Sequence, residues 1–153
     1  MEDERTRWLA GCWDLAECIF TAIDGSTHSP WGEVPIGMLL FTPSGEFAAH
    51  GGRRGRAPFA GENPTPDEKR QAYDDYFSYY GRVVSFDDKA GTMVSVVEGA
   101  TNPGWIGGQQ LRCLDVIDDA TIVLRTLPLP LAGRRVVGRM TWRRRGAGDA
   151  SAG

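Results

Sequence analysis

The chain has 153 residues, 41% hydrophobic and 24% charged, which supports one compact core and excludes disorder of the whole chain. A formal charge of -3 at pH 7 gives no broad positive field, so no nucleic-acid partner is expected. No apolar run approaches the roughly 20 residues that span a bilayer, and the acidic start Met1-Glu2-Asp3-Glu4-Arg5 is unlike a secretory leader; the expectation is a cytoplasmic protein, monomeric or homodimeric, with no membrane partner. Cys12, Cys18 and Cys113 are an odd number. On one strand Cys12 and Cys18 would stand about 20 Å apart, too far to bridge, so reduced thiols are expected.

In chain order, a short helical turn over Asp3 to Leu9 precedes Gly11-Cys12-Trp13. Segments rich in β-branched and aromatic residues then recur: Cys12 to Ile23, Pro35 to Thr42, Glu46 to His50, Arg82 to Phe86, Thr92 to Glu98, Gln109 to Ile117, Thr121 to Leu127 and Arg135 to Arg143. Turn signals such as Asp24-Gly25, Pro43-Ser44-Gly45, Asp87-Asp88-Lys89-Ala90-Gly91 and Asp118-Asp119 separate them, as in consecutive hairpins. Eight antiparallel strands in up-and-down order are enough to close a sheet into a barrel that holds one small ligand.

Between the third and fourth strands, Thr65-Pro66-Asp67-Glu68 provides an N-cap, a proline at the first helical position and an acid three residues after the cap. The apolar positions Ala72, Tyr73, Tyr76, Phe77 and Tyr80 have helical spacing, which predicts a helix from Thr65 to Tyr80, either plugging one barrel end or lying over the mouth as a lid. Residues 1–145 form the barrel domain in this reading, and the small, polar residues 146–153 form a flexible tail.

Gly11-x-Trp13 opening the first strand after a short helix, with Arg143 and Arg144 on the last strand, resembles the lipocalin signature, in which the arginine packs over the tryptophan to close the barrel base. The resemblance to the bacterial lipocalin-like domain family covers roughly residues 10–144. It rests on Gly11-Cys12-Trp13, Gly32-Glu33-Val34-Pro35-Ile36-Gly37, Phe41-Thr42-Pro43-Ser44-Gly45, the Arg53 to Ala60 loop, Pro66 to Gly81, Val97-Glu98-Gly99 and Asn102-Pro103-Gly104-Trp105. It implies a small-molecule-binding barrel. Some such barrels serve natural-product pathways, binding polyketide intermediates or steering their cyclisation.

Alternation sends every second strand residue inward, but residue order alone leaves open which set that is. Trp13, Leu15, Glu17 and Ile19 share a face, so a Trp13 packed inward would carry Glu17 into the cavity; the alternative is an exposed strand glutamate. Gln110, Arg112 and Leu114 oppose Leu111, Cys113 and Asp115. Arg112 is thus either a solvated strand residue or a buried cation needing an acid such as Glu98 or Glu17. A carboxylate and a guanidinium inside an apolar cavity can bind a substrate oxyanion and position a proton donor, making Glu17, Glu98, Arg112 and Tyr80 the catalytic candidates. Trp13, Phe41, Phe47, His50, Arg53, Tyr76, Trp105 and Gln110 are the ligand-binding candidates.

His28 and His50 lack the companions of a metal site, and no metal or cofactor is expected. The Gly51 to Arg56 loop matches no phosphate-binding fingerprint; its Arg53 and Arg56 are either solvated or meet an acidic ligand at the mouth. The serines lie in no nucleophile elbow. With these motifs set aside, the resemblance implies a cofactor-independent cyclase or isomerase that folds a hydrophobic polyketide-like intermediate, with a non-catalytic carrier of a hydrophobic metabolite as the alternative, or a structural barrel if the interior is filled.

Overall fold

The computed structural model describes residues 3–131 and 133–146; of the expected tail, all but Gly146 lies outside the described residues. Helix α1 (Glu4–Leu9) leads into β1 (Gly11–Ala22), the two-residue β2 (Thr27–His28), β3 (Ile36–Phe41) and β4 (Glu46–Gly52). Helix α2 (Pro66–Asp74) follows, then β5 (Tyr76–Asp87), β6 (Thr92–Ala100), a 3-10 turn (Pro103–Trp105) and β7 (Gln109–Asp118). The chain ends in β8 (Thr121–Thr126), β9 (Leu129–Leu131) and β10 (Arg134–Arg144). Consecutive long strands pair antiparallel, and β1 pairs with β10 to close an eight-stranded barrel. The short β2 and β9 extend β1 and β10 at the same end, which is the mouth.

The base is built as the lipocalin comparison predicts. Trp13 is fully buried, its indole N–H donates to the Leu9 carbonyl at 2.8 Å, and the Arg144 guanidinium stands 4.1 Å from its ring centroid and 4.9 Å from that of Trp8. Arg144 also donates to the carbonyls of Trp8 at 2.8 Å, Ala10 at 3.1 Å and Asp119 at 3.2 Å. At the C-terminal end of α1, the carbonyls of Trp8 and Ala10 are thereby satisfied by one cation and that of Leu9 by the Trp13 indole. Leu9, Leu15, Leu39, Phe41, Phe47, Ile122 and Trp142 pack the core above it.

The inserted helix starts at the expected cap, where the Thr65 hydroxyl accepts from the Glu68 amide and the Glu68 carboxylate accepts from the Thr65 amide. It ends at Asp74, six residues short of the prediction. Tyr76 to Tyr80 instead belong to β5, paired with Gly52 back to Ala48 of β4. Their aromatic rings suit a pleated surface, and the ladder with β4 overrides the helical spacing. No residue of α2 is buried, so the helix does not plug the barrel.

Of the bulges in the barrel wall, two bear on the candidate site residues. On β1, Leu15 pairs with Trp142 and Glu17 with Thr141, so Ala16 is the extra residue and the alternation shifts by one. Trp142 lies in the core; Thr141 and its partner Glu17 therefore face outward, while Cys18 and Phe20 turn in. On β6, Tyr80 pairs with Gly99 and Gly81 with Val97, which leaves Glu98 as the bulged residue. Gly81 must be glycine here, because a Cβ would stand 1.9 Å from the Val96 carbonyl oxygen.

In equilibrium urea unfolding, Trp13→Ala is expected to cost about 3–5 kcal/mol through the cavity it leaves. Arg144→Met, which keeps the apolar stem but removes the charge and its carbonyl bonds, is expected to cost about 1–3 kcal/mol.

Candidate functional site

The mouth carries the long connections, and between its two short hairpins lies a cleft of about 340 Å³. Inward-facing Phe20, Ala22 and Val136 form its apolar floor; Ser26, Thr27, His28, Leu131 and Arg134 form its rim. Arg134 spans the rim, donating to the Ser26 hydroxyl at 3.2 Å. The bond from that hydroxyl to Asp24, with the Ser26 amide, holds the Asp24 carboxyl below its ordinary range.

Beside this floor, neighbouring strands carry a row of inward-facing residues. The Phe20 ring covers Gly138, where an added Cβ would come within 2.6 Å of the ring. The Gly138 amide donates to the Thr126 hydroxyl at 2.9 Å, and Thr126 is the cross-strand partner of Arg112. Arg112 also pairs with the core residue Met93, and Gln110 with the buried Ser95, so both face inward. Arg112 donates to the Gln110 side-chain oxygen at 2.9 Å and to the Leu111 carbonyl at 3.2 Å. Among the described residues no carboxylate lies within 4.0 Å of its guanidinium.

Aromatic rings line another part of the interior. Trp31 packs on Phe77 at 4.8 Å, Phe77 on Tyr79 at 6.0 Å, and Tyr79 meets Trp105 edge-on at 5.5 Å. Phe47 reaches Tyr79 at 5.6 Å and Phe41 at 6.3 Å. Phe41 and Phe47 are thus core residues beneath the upper aromatic wall, Trp105 caps that wall at the mouth, and Trp13 belongs to the base.

Only Arg112 of the four catalytic candidates points into the barrel. Glu17 is turned out by the Ala16 bulge. Glu98 is on the surface, paired with Arg82 at 2.7 Å, and Tyr80 lies outside across Gly99, 54% exposed. Tyr76 is also on the outer face, with Arg56 over its ring at 5.2 Å and His50 at 6.5 Å. His50 faces out on β4 and shares a 3.0 Å hydrogen bond with the Ser78 hydroxyl. Arg53 is engaged by Asp75 at 3.2 Å and donates to the Pro30 carbonyl at 2.9 Å. Arg54 donates to the Val34 carbonyl and Arg56 to that of Ala72, so the arginine loop ties neighbouring mouth segments together. Phe20, Val136, Tyr79 and Thr126 are not among the sequence candidates, and Phe77 enters there only as part of the helical stripe. For Phe77 and Tyr79 the signal was present, since their alternation in β5 marks the inward face.

A family model described as a lipocalin-like domain matches residues 10–145. The chain belongs to the lipocalin-like domain family. A search of curated proteins found no match. Among solved structures, the chain is similar to a de novo designed fluorescence-activating beta barrel, with 12% identity over 94% of this chain and 99% of that one and a TM-score of 0.47. It is also similar to a redesigned beta barrel, with 15% identity over 92% and 94% of the two chains and a TM-score of 0.44.

In this lipocalin-like barrel the base is shut by Arg144 and the mouth is open, an architecture compatible with a small hydrophobic ligand. Among the described residues no cluster of three His, Cys, Asp or Glu side chains converges, and no helix is long and apolar enough to cross a membrane. Cys18 is buried in the wall; burial first, and then the charge of neighbouring Glu17, push its thiol up to about 12.

Two outcomes are expected. Mass spectrometry after brief iodoacetamide treatment of the folded protein at neutral pH should find Cys12 and Cys113 alkylated before Cys18. Replacing Arg112 by Met should leave the urea midpoint unchanged or raise it, because an inward cation without an acid partner contributes little to stability; a loss above about 2 kcal/mol would give Arg112 a structural role.

Proposed function

We propose that this lipocalin-like barrel binds a hydrophobic small molecule, admitted at the mouth and held between the aromatic wall and the inward-facing row from Phe20 to Arg112. The observation that carries the reading is the asymmetry of the two ends. The base is sealed by buried Trp13 and Arg144, whereas the mouth has a cleft with an apolar floor, and the inner face of the adjoining strands carries half-buried Arg112 and Gln110. Burial of ligand surface drives binding, and the few polar groups set its orientation.

A second reading is that the bound molecule is a flexible polyketide-like chain and that the barrel steers its ring formation without a cofactor. It is favoured by one feature, the guanidinium and carboxamide side by side on the inner wall, with Ser95 and Thr126 as their cross-strand neighbours. Such donors stabilise an oxyanion as it develops on a carbonyl, while the wall holds the chain in a folded, reactive shape. Acid–base groups on the outer face, Glu17, Glu98 and Tyr80, have no part in this version.

The binding reading is tested with the neutral probe N-phenyl-1-naphthylamine. A saturable fluorescence increase is expected with the wild type, weakened about tenfold or more by Val136→Trp, which fills the cleft floor. Absence of saturable binding to the wild type would remove this reading. For cyclisation, product formed from a linear polyketide-like substrate should fall roughly 100-fold in Arg112→Leu while substrate affinity changes far less; equal losses leave a carrier.

A further inference from the structure

Charge is divided unevenly between the two faces of the wall. On the outside, carboxylates of the wall strands stand against arginines: Asp14 with Arg145 at 2.5 Å, Glu98 with Arg82 at 2.7 Å and Asp115 with Arg125 at 2.7 Å. Glu17 is outside as well, removed from the interior by the Ala16 bulge. Inside, above the base, the cross-strand register directs two charged side chains inward among the described residues: Arg134 at the rim, which is bonded to Ser26 beside Asp24, and Arg112 deeper in the wall, set level with Met93 and Thr126. Its position would be served equally well for packing by Leu or Met, and a half-buried cation is kept at a solvation cost.

We infer that the ligand is an anion: a hydrophobic monoacid whose carboxylate or enolate oxygens are held by Arg112 and Gln110. This rests on the binding reading above. A guanidinium has five N–H donors; the bonds to Gln110 and Leu111 use two and leave three. Because the Gln110 oxygen accepts from Arg112, its amide N–H groups remain for a second oxygen. The pair therefore offers several donors and a positive charge to an oxyanion, a combination that repels an ammonium. A neutral alcohol would leave the positive charge uncompensated, and a cationic ligand would meet it as a like charge. The oxyanion end sits on β7 and the apolar body extends towards Phe20, Val136 and the aromatic wall.

The test uses chain-matched probes that displace N-phenyl-1-naphthylamine: dodecanoate, dodecan-1-ol and dodecylamine, at pH 7.5 and low salt. Dodecanoate should bind about tenfold or more tighter than the alcohol, and the amine weakest. In Arg112→Leu the acid and alcohol should converge while the naphthylamine still binds, and Arg112→Lys should restore part of the preference because it keeps the charge without the fork. Equal binding of acid and alcohol by the wild type, or an acid preference that survives Arg112→Leu, would overturn the inference and leave the binding reading intact. If the wild type takes neither the naphthylamine nor any dodecyl probe, the binding reading fails and the inference with it. The wild-type comparison decides the matter even if a variant does not fold.

Discussion

One guanidinium closes the barrel. Arg144 lies over Trp13 and Trp8 and reaches carbonyls of α1, of the residue after it and of the β7–β8 turn, so three separate segments converge on a single side chain. Fixing Trp13 fixes the facing of β1, and β1 pairs with both β3 and β10. A slip of one residue on either side would put a fully buried indole into water. The seam is therefore specified by packing as well as by its ladder, and the base it creates is apolar and shut. Any ligand must exchange at the other end.

That end was legible only in outline. Turn chemistry placed the hairpins, and Gly11-x-Trp13 with the terminal arginines marked the base, because these features act locally and tolerate few alternatives. Strand phase beyond the base was not legible. Ala16 bears no mark of a bulge, yet it moves Glu17 out and Phe20 in; the bulge at Glu98 shifts the phase of β6 for Gly99 and Ala100, with the neighbouring Gly99 as the sole hint. The Tyr76 to Tyr80 aromatics fit both a helical stripe and a pleated strand, and only the long-range ladder with β4 decides between them. The cap at Thr65 was correct because capping needs no partner outside the helix. On β7, which has no bulge between Gln110 and Arg112, the two residues stayed on one face as their spacing required.

The mouth follows a different logic. Arg53, Arg54 and Arg56 donate to carbonyls of the segment before β3 and of α2. These connections cannot satisfy their polar groups through a sheet ladder, and arginine forks supply donors over a long reach. The loop whose composition resembled an anion-binding turn thus spends its cations on the protein's own backbone. Among the described residues, the β2 and β9 hairpins are joined across their cleft by the rim bond between Arg134 and Ser26, fewer ties than the arginine loop makes to its neighbours.

The same distinction separates the arginines by role. Arg144 is saturated by rings and carbonyls, the loop arginines are tied to backbone, and the outer-face arginines stand against acids in water, where such pairs contribute about 0–1 kcal/mol. Each of these has a structural reason to be cationic. Arg112 has Gln110 and its own neighbouring carbonyl, which orient the fork without neutralising it. A barrel selected only for stability would place an aliphatic side chain between Met93 and Thr126. Retaining a cation there, with the wall's carboxylates turned outward by alternation and, for Glu17, by the Ala16 bulge, keeps the interior complementary to negative charge brought from outside.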